Sequence, residues 1–452
     1  MSGDYSAATR PFRFIGILLG LGAGALSGVY GAARTENPTR RPNLVLILAD
    51  DLGYGSLGCY GGTEFRTPHL DRLAAGGLRF TDFHSNGPMC SPTRAALLTG
   101  RYPQRCAWVD DSELSPVFRE QRRLNPAQRW AWGIAKGEMT MGRVLQQAGY
   151  RTALIGKWHL GYDFKFHPLN YGFDEFRGFV GGAVDYHTHV ATHGLKQLDW
   201  WRGNKIENED GYTTDLLTRH AADFIVRNKD APFFLYLAHA APHEPWQGRD
   251  PSGKQSPPAV YREMIAGLDA SVGAIAAVLR QHQLEQDTLL IFCSDNGAAP
   301  PRGVVANGRL KGRKGGMEEG GHRVPCIASW PGVIEPGRTS GATVMTMDFF
   351  PTFAHLAGVS TPPGHTLDGM DLMPLLRNQA GLEDRVLHWL FGNAWAVRQG
   401  PWKLIGRGEA ALALVNVESD LAESVNHLEA QPARVERLRE LHRRWIGSVG
   451  DR

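Results

Sequence analysis

Cys90, Pro92 and Arg94 alternate in the segment Cys90-Ser91-Pro92-Thr93-Arg94, where a helix over 92–98 is expected to start, closed by Gly100. It follows a turn, Asn86-Gly87-Pro88. Proline is favoured in the first helical turn and glycine just past the last. The free N–H groups and macrodipole of such a helix start favour a nearby anion, and Arg94 adds a cation. Alone, Cys90 reads equally well as a small buried apolar residue and Arg94 as a surface charge. Two further segments change the balance. An apolar run over 44–49 ends in Asp50-Asp51, and another over 288–293 is followed by Asp295-Asn296-Gly297. Taken singly, each aspartate could be a helix cap or turn former. Three carboxylates and an amide together make an all-oxygen set that suits Ca²⁺ or Mg²⁺ and not a soft metal.

Those groups converge only if the chain folds as an α/β sheet. Short aliphatic runs bounded by turn residues read as buried strands of a parallel sheet, and such sheets bind ligands beyond the carboxyl ends of their strands. Strands are expected over 44–49, 152–155, 233–238, 289–293 and 326–330. Helices are expected over 68–75, 141–148, 212–226, 260–282 and 351–357. Their alternation argues for a large, mostly parallel sheet flanked by helices. Beyond a boundary near 337–341, segments 394–398, 402–405 and 414–417 read as small antiparallel strands, and 431–446 as a terminal amphipathic helix. Segments 110–137 and 187–210 lack a clear period; aromatic and histidine residues in the second, with Trp200 and Trp201, suggest pocket walls.

With 452 residues, one large domain and a smaller one are expected. A net charge of +3 leaves no nucleic-acid footprint. Arg10 and Arg13 precede an apolar stretch over 14–26 and small residues through Gly31-Ala32-Ala33. That order describes a secretory signal peptide cleaved near Ala33; an uncleaved membrane anchor is the alternative. Besides Cys90 there are Cys59, Cys106, Cys293 and Cys326, whose spacing names no disulfide connectivity and no zinc site. Cys293 reads as simply buried.

Together these residues resemble the type I sulfatase family, of the alkaline-phosphatase-like superfamily. The signature C-x-P-x-R is met by Cys90, Pro92 and Arg94, and its extension by 95–101. Other matching segments are Asp50-Asp51-Leu52-Gly53-Tyr54-Gly55, Gly156-Lys157-Trp158-His159-Leu160-Gly161 and Ala241-Pro242-His243-Glu244-Pro245. Ser294-Asp295-Asn296-Gly297 and Lys311-Gly312-Arg313-Lys314-Gly315, followed by Glu319-Gly320-Gly321, complete the order. The resemblance implies that a maturation enzyme oxidises Cys90 to Cα-formylglycine, whose hydrate attacks sulfur. It implies one divalent cation, calcium more than magnesium, on Asp50, Asp51, Asp295, Asn296 and residue 90. Lys157, His243 and Lys314 would bind the sulfate and assist the leaving oxygen. Arg94 would hold the formylglycine hydroxyl, and His159 would take the second diol proton.

The same resemblance implies a division into signal peptide 1–33, linker 34–41, catalytic domain 42–340 and a C-terminal α+β subdomain 341–452. The enzyme would be secreted or periplasmic, with no stable membrane partner. Segments 172–176, 181–186 and 310–314 resemble the arylsulfatase B group, which includes N-acetylgalactosamine-4-sulfatases, and so imply a sulfated glycan or aryl sulfate as substrate. Two departures stand out: Ser91 within the signature, and Met317-Glu318 ahead of Glu319-Gly320-Gly321, which could retune the pocket. The alternatives are a phosphate or phosphonate monoester hydrolase on the same scaffold, and a non-catalytic glycan-binding homologue.

Overall fold

Each residue of β1 (Asn43–Ala49) is buried. Leu44, Leu46 and Leu48 enter one apolar cluster and Val45, Ile47 and Ala49 another, so the strand is covered on both faces. The computed structural model describes residues 41–106, 133–193, 196–360 and 364–449. The expected signal peptide 1–33, nearly all of the linker and most of the 110–137 segment lie outside the described residues.

In chain order the strands that follow are β2 (Leu78–Phe80), β3 (Phe83–His84), β4 (Arg151–Lys157), β5 (Glu175–Phe179), β6 (Trp201–Arg202) and β7 (Lys205–Ile206). Next come β8 (Phe233–Ala238), β9 (Thr288–Ser294), β10 (Cys326–Ser329), β11 (Arg338–Ser340) and β12 (Val344–Met345). Ten of them form one sheet in the order β11-β2-β10-β9-β1-β8-β4-β5-β6-β7. From β9 through β5 neighbours run parallel. The edges reverse: β10 is antiparallel to β9 and β2, and the β6–β7 hairpin is antiparallel to β5. Strand β12 pairs with β3 in a separate small sheet.

The helices include α1 (Pro68–Ala75), α2 (Cys90–Thr99), α3 (Met141–Gln147), α4 (Thr213–Asn228), α5 (Pro257–Gln281), α6 (Glu319–His322) and α7 (Phe349–Ala357). Helix α2 starts at Cys90, two residues before the expected position, because Met89 (φ −143°, ψ 155°) is the last extended residue. It stops at Gly100, whose φ of 68° is left-handed, as expected for a glycine past a helix end. Every residue of α2 is buried.

Strands β13 (Val386–Phe391), β14 (Ala394–Gln399), β15 (Trp402–Arg407) and β16 (Ala410–Asn416) form an antiparallel sheet in sequence order. One face packs Val397, Leu404 and Leu414 against Val435 and Leu438 of α8 (Pro432–Val449). The other packs Trp389, Ala396 and Ile405 against Ala96 of α2, Tyr102, Met317, Met345 and Met347. Thus the small sheet rests on the helix that begins with Cys90. All five cysteines are free thiols, and Cys293 is buried. Among the described residues no helix is long and apolar enough to cross a membrane.

Candidate active site

Strand register decides where the acids go. Ala49 of β1 pairs with Ser294 of β9, so Asp50 and Asp295 leave the sheet side by side. The Asp295 N–H donates to the Ala49 carbonyl and the Asp50 N–H to the Ala241 carbonyl, each at 3.1 Å. Ala238 of β8 pairs with both Leu48 and Gly156, bringing the 239–243 segment and Lys157 to the same edge. Gly156 has φ 119°, and a Cβ there would sit 1.8 Å from the Ala238 carbonyl oxygen, so only glycine fits. Asp51 (φ 61°) and His159 (φ 55°) are left-handed without being glycine. Such strain persists where surrounding structure aims a side chain.

At this edge Cys90 Sγ lies 3.2 Å from Asp50 Oδ1 and 3.9 Å from Asp51 Oδ1, with the thiol as donor. Lys157 Nζ donates to Asp50 Oδ2. Lys314 Nζ donates to Asp51 Oδ2 at 2.9 Å, and His243 Nε2 lies 3.7 Å from that oxygen. Asn296 Nδ2 donates to Asp51 Oδ1 at 2.7 Å. Arg94 donates from Nε and Nη2 to Asp295 Oδ2 at 3.1 and 2.8 Å, and from Nη1 to the Lys157 carbonyl at 2.9 Å. Arg94 is therefore not a surface charge; it is the buried counter-charge of Asp295.

These charges shape one another. Burial pushes the Asp50 carboxyl up, but Lys157, His243, Arg94 and Lys314 outweigh it and hold Asp50 well below the usual carboxylate range. Burial and the charge of Asp50 push Asp295 up against the pull of Arg94 and Lys157. Burial, Asp295 and Asp50 raise the Cys90 thiol far above its ordinary value, so the unmodified side chain stays protonated. A protonated thiol is a poor nucleophile.

The oxygen-rich half of the cluster fits a hard cation. Asp50, Asp51, Asp295 and Asn296 are all buried, and Asn296 Oδ1 has no hydrogen-bond partner. An orphaned buried carbonyl oxygen beside crowded carboxylates is what a divalent ion with oxygen ligands satisfies. Donor atoms of Asp50, Asp51, Cys90 and His243 also lie within 4.8 Å of one another.

His159 stands apart. Its N–H donates to the Val180 carbonyl at 3.1 Å, but its buried Nδ1 has no partner. Burial, then Lys157 and Arg94, lower its pKa well below the ordinary value. Asp199, which carries no periodic signal in the sequence, braces this corner: it accepts from the Val180 and Gly181 N–H groups at 3.0 and 2.7 Å and from Trp201 Nε1 at 2.7 Å. A Cβ on Gly182 would sit 2.7 Å from His159 Nε2. Trp200 is buried and stacks on His189 with ring centroids 4.2 Å apart. Trp200 is thus a packing element, while Trp201 is half-buried. Just ahead of that segment, Tyr186 Oη donates to the His243 carbonyl at 3.0 Å.

A second buried cluster, His84, Glu319 and His322, also has metal-ligand spacing. It is already neutralised. Lys403 Nζ lies 2.7 Å from both Glu319 Oε1 and Glu423 Oε1. Arg323 pairs with Glu319 at 3.0 Å and Asp82 at 3.1 Å, and Arg398 with Asp82 at 2.8 Å. The network ties α6, just after Lys314, to β14 and β15. Met317 is buried in the apolar cluster under the small sheet and its carbonyl accepts from His322 Nε2 at 3.1 Å. Met317 itself is a packing residue, while the Glu318 side chain lies against Gly312 and Gly316 on either side of Lys314.

Comparison with known proteins agrees with this geometry. The sulfatase family model matches residues 42–359, and the model for the C-terminal region of N-sulphoglucosamine sulphohydrolase matches 313–433. The chain is 37% identical over 402 residues to N-acetylgalactosamine-6-sulfatase of Canis lupus familiaris, covering 86% of this chain and 74% of that one. It is 34% identical over 459 residues to steryl-sulfatase of Mus musculus, covering 84% and 72%. The crystal structure of Ps i-CgsB superposes with a TM-score of 0.80 at 30% identity, over 90% of this chain and 93% of that one. The N-acetylgalactosamine relative is a 6-sulfatase, which shifts the subgroup resemblance away from the 4-sulfatases. With the signature cysteine seated among its acids and cations, and more than half the chain matched, this protein belongs to the sulfatase family and is a sulfuric ester hydrolase.

Proposed function

We propose that the enzyme hydrolyses sulfate monoesters of a sulfated glycan, using residue 90, converted from cysteine to Cα-formylglycine, and one divalent cation, calcium. The observation that carries this reading is the position of Cys90 Sγ, 3.2 Å from Asp50 Oδ1, with Lys157 and Lys314 on the same pair of aspartates. Asp50, Asp51, Asp295 and Asn296 are assigned as the cation's protein ligands, alongside residue 90. When bound, the ion supplies Lewis-acid polarisation of a sulfate oxygen and favours ionisation of a neighbouring hydroxyl. The hydrated aldehyde at residue 90 supplies the nucleophilic oxygen.

The chain's own groups do the rest. Lys157 and Lys314 place two ammonium donors next to residue 90, so an entering sulfate meets fixed positive charge with little reorganisation; loss of one such donor costs about 10²–10³ in rate. His243 Nδ1 donates to the Glu244 carbonyl, which leaves Nε2 as the ring atom that can exchange a proton with the leaving oxygen. Lys314, partly exposed, is the second donor at that point. His159, held neutral by burial, is suited to accept a proton at its unpartnered Nδ1 and so release sulfate from residue 90. Arg94 fixes Asp295 and the Lys157 backbone. In this reading residues 42–340 carry the chemistry and 341–452 support it, after export by the cleaved segment 1–33.

The test is mass spectrometry of the residue-90 peptide from natively produced enzyme, together with turnover of nitrophenyl sulfate against nitrophenyl phosphate. Formylglycine and a preference for the sulfate are expected; an unmodified thiol in every molecule, or a preference for the phosphate, rejects the reading. The cation has a separate readout. Adding Ca²⁺ to chelator-treated enzyme at 100 times its Kd is expected to stabilise the fold by about 2.7 kcal/mol. Asp295→Asn should abolish most of that shift in Tm, and an equal shift in the variant removes Asp295 from the ligand set.

A further inference from the structure

The chain leading to Lys314 is unusual in charge. Between 301 and 316 the chain holds Arg302, Arg309, Lys311, Arg313 and Lys314 and no acid. The whole chain carries a net charge of only +3, so without this strip the remainder sums to −2. Arg302, Arg309, Lys311 and Arg313 are exposed. Among the described residues no ion pair engages Arg302, Arg309 or Arg313. Elsewhere on the surface, arginines such as Arg227, Arg249 and Arg444 are paired with carboxylates.

The backbone beneath these side chains is built against the active site. Asn307 Oδ1 accepts from the Ala298 N–H at 2.9 Å, and Asn307 Nδ2 donates to the Gly312 carbonyl at 3.2 Å. Ser56 Oγ donates to the Ala306 carbonyl at 3.2 Å. Gly53 and Gly55 pack so closely on 306–308 that a Cβ on either would come within 2.4 Å. The strip is thus seated on the two segments that carry Asp50-Asp51 and Asp295-Asn296. Arg309 lies near enough to Tyr54 to act on its hydroxyl. A firm backbone with free guanidinium groups is a preorganised anion surface, and guanidinium forks suit sulfate and carboxylate oxygens.

We infer that Arg302, Arg309 and Arg313 form an accessory subsite for further anionic groups of the substrate, so that the physiological ester is carried on a polyanionic glycan chain and not on a small neutral aglycone. The inference rests on the sulfatase reading of the same site and narrows its substrate class. A nucleic acid is the less suitable occupant, because 301–316 contains no aromatic residue on which a base could stack. The strip steers and retains the chain, while the chemistry at residue 90 sees one ester at a time.

The test uses the full-length enzyme and dextran sulfate as a polyanionic probe, with nitrophenyl sulfate as the small reporter substrate. Two triple variants are compared: Arg302→Ser/Arg309→Ser/Arg313→Ser, and a control that removes the same charge from the terminal helix, Arg439→Ser/Arg443→Ser/Arg444→Ser. For the wild type and the control, dextran sulfate should inhibit, with inhibition weakening steeply as salt rises. The strip variant should require at least tenfold more dextran sulfate while keeping kcat and KM for nitrophenyl sulfate. Binding of fluorescently labelled dextran sulfate, read by anisotropy, gives the same comparison without turnover. If nitrophenyl sulfate is not hydrolysed, the sulfatase reading fails while the binding comparison still judges the strip. Equal inhibition of the strip variant and the control overturns the subsite, and so does equal inhibition by a DNA oligomer of matched charge. If the triple variant does not fold, Arg302→Glu alone is used, with at least a threefold loss expected and no loss counting against the inference.

Discussion

Cys90→Ala is expected to lower nitrophenyl sulfate turnover by on the order of 10⁶, to the solvent background, because it removes the group that forms the covalent bond to sulfur. The fold should survive. Cys90 is only 2% exposed and its thiol hydrogen bonds to Asp50, but truncating one sulfur atom costs about 1 kcal/mol. A change of a few degrees in Tm beside a complete loss of turnover therefore separates chemistry from packing. Had Cys90 been a plain buried apolar residue, alanine would fill its place with activity intact; retained turnover in the variant is the outcome that sinks its assigned role. Burial and the neighbouring aspartates raise the thiol, so an unconverted Cys90 is a poor nucleophile.

Lys403→Met should instead unfold the protein more easily while leaving the reacting groups in place. Lys403 is fully buried between Glu319 and Glu423, and removing it leaves Glu423 without its cation and Glu319 with Arg323 alone. Breaking a buried ion pair in this way costs about 3–5 kcal/mol. The effect should depend on pH in a defined sense. Burial raises Glu319, but Lys403 leads the groups that outweigh burial and hold it well below 4.5 in the folded enzyme. In the wild type this contribution is fully present above pH 4.5 and is lost as pH falls through the depressed folded value. Glu423, which burial already raises despite Lys403, binds protons more readily still without it. The stability gap between variant and wild type should therefore narrow as pH falls from 7 toward 4.5, measured by urea unfolding. A gap that is constant across that range would mean that lost packing, and not charge, explains the variant.

The most legible parts of this molecule in the sequence are those where one local pattern carries the information. Runs such as 44–49 and 288–293 are apolar at every position, so they read as doubly covered strands, and the acids that follow them had to emerge at one edge. The position of Gly100, past the end of α2, follows from left-handed backbone geometry that glycine alone adopts without cost. Partners far apart in sequence were not legible. Nothing local says that Arg94 will meet Asp295, 201 residues away, or that Asp199 will brace the turn beside His159. Strand β5 was missed because Arg177 and Gly178 interrupt its apolar pattern, and β13 because His388 and Trp389 obscure its alternation. Nor does anything local say that Met317, in a segment that flanks Lys314, packs under a sheet that starts at Val386.

The ionic bridge from Glu319 to Lys403 and Glu423 ties the segment that follows Lys314 to the last strands of the chain. A polypeptide stopped before residue 386 would still encode the acids, the lysines and the cysteine, but would uncover the apolar cluster around Ala96, Met345 and Met347 and take Lys403 away from Glu319. Engineers who wish to shorten or graft this scaffold must carry its far end along, because the last strands are part of the mould in which the first ones are set.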